Sequence, residues 1–197
     1  MSKIVVLGAG ISGHTAAAHL RRKLSKEHEV LVVSPNRNYQ WVPSNIWVGI
    51  GRMKSKEVIF PLEPLYKRKG IGYKQAKAVS FHPEGDSSEA KPYILVEGVF
   101  GDNLGKQEKV TYDYLINATG PKLAFDMTEG LQPATNKVYS VCTYDHAEHA
   151  SEALHKLIDQ LKKSDKKAKI LIGTGHAKAT CQGAAFEYIL NVEKELQ

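Results

Sequence analysis

Residues 3–7 are apolar with almost no alternation, the pattern of a strand buried on both faces. Residues 12–26 read as a helix: Ala16, Ala17 and Ala18 let its first turns pack closely against a sheet, and its basic residues gather at the C-terminal end, where they complement the helix dipole. Residues 28–33 form a second apolar strand, completing a β-α-β unit of about 30 residues. Residues 34–52 read as irregular, broken by Pro35, Pro43, Gly49 and Gly51 but carrying Tyr39, Trp41 and Trp47 as apolar bulk. A short helix is predicted over 59–69, strands over 74–81 and 93–100 with a polar turn between them, and one strand from 110 that ends at Gly120. A loop-rich stretch over 121–140 contains Pro121, Gly130 and Pro133. It is followed by a helix over 145–163, a strand over 169–172, a glycine-bearing turn and a last helix to Gln197.

The predicted fold class is α/β. A Rossmann-like dinucleotide-binding domain occupies residues 1–120, a connecting segment and helix 121–165, and the opening βα unit of a second Rossmann-like domain 166–197. One strand and two helices cannot close a core, so the chain is expected to be an incomplete fragment.

Composition changes this picture little: 42% hydrophobic and 24% charged residues are ordinary for a globular chain. No apolar run approaches the roughly 18 residues a membrane-spanning helix needs, and no secretory signal is seen. The net charge of +6 comes partly from clusters at 21–23, 67–69 and 162–167. No aromatic residues interleave with them, which argues against a nucleic-acid groove and leaves a solvated face or an anionic membrane surface. Two cysteines, Cys142 and Cys181, make no disulfide framework and no metal pair; no metal site is expected.

The strongest chemical signal is Gly8-Ala9-Gly10-Ile11-Ser12-Gly13, set between the first strand and the first helix. Gly8 permits the tight turn, Gly10 lets backbone approach a pyrophosphate, and Gly13 allows helix and strand to touch. The helix N-terminus then offers N–H groups to the phosphates. The acid that normally ends the second strand and holds a ribose is replaced by Ser34, a hydroxyl without charge. That lowers the case for NAD at this turn and favours FAD.

Four further stretches make the chain resemble the sulfide:quinone oxidoreductases, a branch of the flavoprotein disulfide reductases. They are Tyr39-Gln-Trp-Val-Pro-Ser-Asn-Ile-Trp-Val-Gly49, Tyr112-Asp-Tyr-Leu-Ile-Asn-Ala-Thr-Gly-Pro-Lys-Leu-Ala-Phe125, Val141-Cys-Thr-Tyr-Asp-His146 and Thr180-Cys-Gln-Gly-Ala-Ala-Phe-Glu-Tyr188. The resemblance puts Gly8 to Gly13 on the pyrophosphate of FAD, Ser34 and Pro35 on the adenosine ribose, and the Ala78 backbone on adenine. It puts Val42 and Pro43 beside the flavin, and Thr119, Gly120 and Ala124 near the cofactor. It implies a reaction that oxidises hydrosulfide to polymeric sulfur and passes two electrons through FAD to a membrane quinone. Cys181 matches one member of the redox cysteine pair, and its place before a helix suits a stabilised thiolate. Cys142 matches a family cysteine linked to sulfur handling or to flavin attachment, and His146 and Glu187 match residues associated with proton transfer.

The partner cysteine of Cys181, the later FAD-gripping strand, the quinone pocket and the C-terminal amphipathic membrane helices all fall beyond Gln197 in the family pattern. The chain alone is therefore expected to be soluble and inactive, whereas an intact family member is a peripheral membrane protein and a possible homo-oligomer. Three rivals stay open: a type II NADH:quinone dehydrogenase, the flavoprotein of flavocytochrome c sulfide dehydrogenase, and an inactive flavin-binding fragment. The second glycine turn, Gly173-x-Gly175-x-x-Lys178, lacks the third glycine and disfavours a nicotinamide site.

Overall fold

The computed structural model describes residues 1–131, 138–176, 178, 179 and 181–197. Pro133 of the expected loop, and Ala177 and Thr180 of the second turn, lie outside the described residues. The described chain forms two compact units, Met1–Tyr39 with Phe60–Pro121, and Gln40–Ile59 with Lys122–Gln197.

The first unit is built on a six-stranded sheet whose strands run in the order β7 (Gln107–Thr111), β6 (Tyr93–Gly98), β5 (Gly72–His82), β2 (Glu29–Ser34), β1 (Lys3–Leu7) and β8 (Tyr114–Asn117). Strands β1 (Lys3–Leu7) and β2 (Glu29–Ser34) lie parallel in the register Lys3↔Glu29 to Leu7↔Val33. They are apolar on both sides because both sides are covered. Val6, Val30 and Val32 meet Ala17 of helix α1 (Ile11–Lys23) and, from α4 (Leu62–Lys69), Leu62 and Tyr66. Val5, Leu7, Leu31 and Val33 alternate to the other face and meet Ile94, Val96 and Val110. Each such side chain contributes about 2 kcal/mol by leaving water. Helix α1 ends in Arg21, Arg22 and Lys23; Arg21 Nη1 donates to His28 O at 2.7 Å and Nη2 to Leu24 O at 3.0 Å, closing the helix terminus. Helix α4 stops at Gly70, whose φ of 66° is the left-handed conformation.

Strand β5 (Gly72–His82) has two kinds of partner. Its first residues run parallel to β2, with Ser34↔Gln75 the last pair, and its later ones run antiparallel to β6 (Tyr93–Gly98). Strand β7 (Gln107–Thr111) completes this meander. Its hairpin is tied by Asp86, which accepts from Tyr93 Oη (2.5 Å), Lys109 Nζ (2.9 Å) and Ser88 Oγ (2.8 Å). The His82 ring stacks on Tyr93 with centroids 4.3 Å apart.

The single strand expected from residue 110 is two. The chain leaves β7 at Thr111 and starts β8 (Tyr114–Asn117) at the opposite edge of the sheet, parallel to β1. Asp113 makes the jump possible: its N–H donates to Lys3 O at 2.9 Å and its Oδ2 accepts from Lys3 N at 2.6 Å. The helix expected over 59–69 is also divided. A three-residue strand, β4 (Ile59–Pro61), pairs with β3 (Asn38–Gln40) in a small separate sheet before α4 begins.

The second unit is helical. The stretch read as irregular holds a 3₁₀ turn (Val42–Ser44), α2 (Asn45–Gly49) and α3 (Ser55–Val58). Val48 and Val58 pack with Ala147 of α5 (Tyr144–Leu161). Ile50 and Leu154 pack with Val192 of α6 (Gly183–Leu196). Tyr188 Oη donates to Gly49 O at 2.9 Å, and Arg52 Nε to Glu195 Oε1 at 2.5 Å. Residues 169–172, expected as a strand, are not one. A parallel strand needs a neighbour for its N–H and C=O groups, and the described residues of this unit supply none.

Candidate functional site

The glycine turn is positioned from both sides by strand ends. Gly8 N donates to Val33 O and Ala118 N to Leu7 O, each at 2.8 Å. Gly8 has a φ of 96°, and a Cβ there would lie 2.2 Å from Ala118 O. A Cβ on Gly13 would lie 2.0 Å from Gly8 O. At Gly10, by contrast, a Cβ would meet nothing within 4 Å. Two glycines are thus required by the protein's own packing, and the third leaves open space at the N-cap of α1.

That helix end has no side-chain cap and no acidic residue in its first turn. Ala9 is buried, while Gly10, Ile11 and Ser12 are exposed. Backbone donors, the positive end of a dipole and an unobstructed approach make an anion-binding cradle. A dinucleotide pyrophosphate fits it.

Around this turn the first unit brings together several of the residues anticipated from sequence. Ser34 closes β2 and is 1% exposed; its Oγ accepts from Asn36 N at 3.3 Å. The loop that follows is pinned by β5, through Gln75 Nε2 to Pro35 O at 3.3 Å and Tyr73 Oη to Asn36 O at 2.6 Å. Ala78 lies further along β5, paired with Val96, and the register slips between Ala78 and Ser80. Such a bulge frees backbone groups from the ladder. Thr119 and Gly120 follow β8 directly. Asn117 Oδ1 accepts from Thr119 N at 3.2 Å and from its Oγ1 at 2.9 Å, an Asx turn beside Gly8 that sequence reading passed over.

Sequence reading also missed His14, whose imidazole sits among Tyr39, Phe60 and Tyr66 with centroids 5.0, 5.9 and 5.6 Å away. Its only local signal is a ring immediately after the third glycine. Burial, with the Lys69 charge, holds its pKa below the ordinary histidine value.

The remaining candidates belong to the second unit. Val42 (46% exposed) and Pro43 form the 3₁₀ turn, flanked by exposed Trp41 and Trp47. Ala124 is exposed, and its carbonyl accepts from Met127 N at 3.1 Å. Cys142 and Cys181 are free, exposed thiols. Cys142 N donates to Ser140 Oγ at 3.1 Å, and Cys181 directly precedes the N-cap residue of α6, Gln182. His146 lies in the first turn of α5, edge-on to Phe125 at 5.4 Å, and its buried Nδ1 has no hydrogen-bond partner among the described residues. Beside it, burial raises the Asp145 carboxyl, but the nearby Thr143 side chain and the backbone of the helix start bring it below its usual value. Glu187 is exposed on α6.

A comparison with protein families matches residues 2–181 to the pyridine nucleotide-disulphide oxidoreductases. The chain belongs to that family. Within it, the chain is similar to the sulfide-quinone reductase of Aquifex aeolicus, 27% identical over 194 residues, or 98% of this chain and 39% of that protein. The X-ray structure of the Aquifex aeolicus sulfide:quinone oxidoreductase superposes with a TM-score of 0.79 at 26% identity, over 100% of this chain and 40% of that one. The mitochondrial sulfide:quinone oxidoreductase of Dictyostelium discoideum is 27% identical over 80% of this chain and 32% of its own length. The type II NADH:quinone oxidoreductase of Haemophilus influenzae is 28% identical over 88% of this chain and 38% of its own. The chain therefore spans about two-fifths of the Aquifex aeolicus protein. The resemblance to sulfide:quinone oxidoreductases holds from end to end, and the Rossmann-like α/β class is that of this oxidoreductase family. Among the described residues no helix is long and apolar enough to cross a membrane.

Proposed function

We propose that this chain is the FAD-holding portion of an enzyme that oxidises hydrosulfide and delivers the electrons to a membrane quinone. The observation that carries the cofactor half of this reading is the uncapped α1 with open space over Gly10, beside packed Gly8 and Gly13. Gly8 to Gly13 hold the pyrophosphate, the Ser34 hydroxyl and the Pro35 turn face the ribose, the Ala78 backbone beside the register slip meets adenine, and Thr119 with Gly120 approach from β8. By resemblance Val42 and Pro43 are assigned to the flavin side, and Ala124 to the neighbourhood of the cofactor.

FAD bound here supplies a two-electron acceptor between sulfur and quinone. The sulfur chemistry falls to Cys181. As one half of a disulfide it is open to hydrosulfide attack: an S–S bond forms, the original one breaks, and a persulfide and a thiolate remain. Cys142 is assigned a supporting sulfur or flavin-attachment role, and His146 and Glu187 the handling of protons. The partner cysteine, the quinone pocket and the membrane contact are assigned to the part of the relatives' length that this chain does not span. By itself the chain is expected not to turn over.

A second reading, an NADH:quinone dehydrogenase, is favoured by the Haemophilus influenzae relative. Against it stands the second glycine turn. In the first turn α1 begins one residue after Gly10; here α6 begins at Gly183, well past Gly175, and a Cβ on Gly175 would meet Leu131 at 2.3 Å rather than open space. The test is to load the purified chain with FAD and record the visible flavin spectrum. Uptake of FAD by the chain supports the cofactor half, and bleaching of its band by sulfide but not by NADH, read with the portion that carries the partner cysteine supplied, supports the sulfur half. Bleaching by NADH alone transfers the chain to the dehydrogenases, and a chain that takes up no FAD is neither.

A further inference from the structure

We propose that His14 is a positioning residue for the dinucleotide, its caged imidazole locking the first turn of α1 in place and so setting how tightly the pyrophosphate is held. The inference rests on the flavin reading above. Of the first four residues of α1, Ile11 and Ser12 are exposed and Gly13 has no side chain, so His14 alone reaches from that turn into the protein. Its own N–H makes the first helical bond, to Gly10 O at 2.9 Å, so the imidazole is anchored to the same turn whose free N–H groups face the phosphates.

Three elements hold the ring. Tyr66 of α4, 0% exposed, places its Oη 3.2 Å from Nδ1. Tyr39 of β3 and Phe60 of β4 stack on each other with centroids 4.6 Å apart and flank the imidazole. The titratable or charged groups facing His14 from these elements are Tyr39, Tyr66 and Lys69, and only Lys69 is charged at neutral pH. Burial and the Lys69 charge both oppose an imidazolium here and hold the pKa below the ordinary histidine value. In the tautomer whose Nδ1 accepts from Tyr66 Oη, protonation turns Nδ1 into a donor, so the buried Tyr66 hydroxyl must accept and its own proton loses this partner. The clamp on the first turn then loosens.

The test is a titration of the whole chain with FAD, followed by flavin fluorescence, at about pH 8 and about pH 5. The native chain should bind FAD more weakly at the lower pH. His14→Phe keeps the ring contacts but loses the bond and the proton. It should bind about five- to tenfold more weakly at the higher pH and lose that pH dependence. Tyr66→Phe should weaken binding in the same direction, and decides the matter if His14→Phe does not fold, as judged by circular dichroism of the FAD-free chain. Faster amide exchange at residues 11–14 in either folded variant is the second expected readout. Variants that bind FAD with native affinity and native pH dependence overturn the positioning role and leave the flavin reading standing. A native chain that takes up no FAD at either pH overturns both.

Discussion

A Cβ on Gly13 would lie 2.0 Å from the carbonyl oxygen of Gly8, whereas a Cβ on Gly10 would touch nothing. The two positions therefore separate folding from ligand binding. Gly13→Ala must push backbone apart where β1 meets α1, and is expected to cost about 2–4 kcal/mol of stability. Gly10→Ala should change the unfolding midpoint of the FAD-free chain by less than about 1 kcal/mol, yet reduce FAD affinity at least tenfold by occupying the pyrophosphate's approach. Denaturant melts beside FAD titrations of both variants check this.

Tyr188 and Gly49 make a second such pair. Burial pushes the Tyr188 phenol up to about 12, and its proton is committed to Gly49 O at 2.9 Å. A raised folded-state value means that this contribution is complete below the unfolded tyrosine value of about 10 and is lost as pH rises toward about 12. Tyr188→Phe should cost about 1–2 kcal/mol at neutral pH, because the buried Gly49 carbonyl is left unpaired. It should also remove one late-titrating phenol from the alkaline absorbance curve.

Asp86 gives the opposite sign. Hydrogen bonds from Tyr93, Lys109 and Ser88 hold its carboxyl far below the usual range. Its contribution is therefore present above the ordinary aspartate value of about 4 and is lost as pH falls below it. Asp86→Asn should flatten the acid limb of the stability curve, measured as the urea midpoint between neutral and acid pH, and leave FAD uptake unchanged.

For the sulfur chemistry, Cys181→Ser should bind FAD as the native chain does, since Cys181 is exposed and belongs to neither core cluster of its unit. With the portion that carries the partner cysteine supplied, bleaching of the flavin by sulfide should be lost. A Cys181→Ser chain that is still reduced by sulfide at the native rate removes Cys181 from the reaction.

The β1–turn–α1–β2 unit could be read directly from the chain because its signals are local: an apolar run, three glycines and a helical period within residues 3–34. The break at Tyr112-Asp113 could not. Locally the segment continues a strand pattern, and only pairing with Lys3, 110 residues away, carries it to the other edge of the sheet. The same holds for the site. Gly8, Gly10 and Gly13 announce themselves, but the cage around His14 is assembled from residues 39, 60 and 66, and no spacing in the sequence connects them. The strand expected over 169–172 shows the converse error, since local apolar pattern without a neighbour makes no ladder.

The placement of β8 also bears on how the chain acquires its site in time. The meander β5–β6–β7 forms from neighbours in sequence, but Gly8 has no floor until Ala118 arrives beside Leu7, which closes a loop of more than a hundred residues. Contacts of that span form late, because their entropy must be met before they stabilise anything. The pyrophosphate cradle is therefore among the last features to appear during folding. A dinucleotide that binds it acts on the finished sheet as a latch, slowing the departure of β8 and with it the unfolding of the unit.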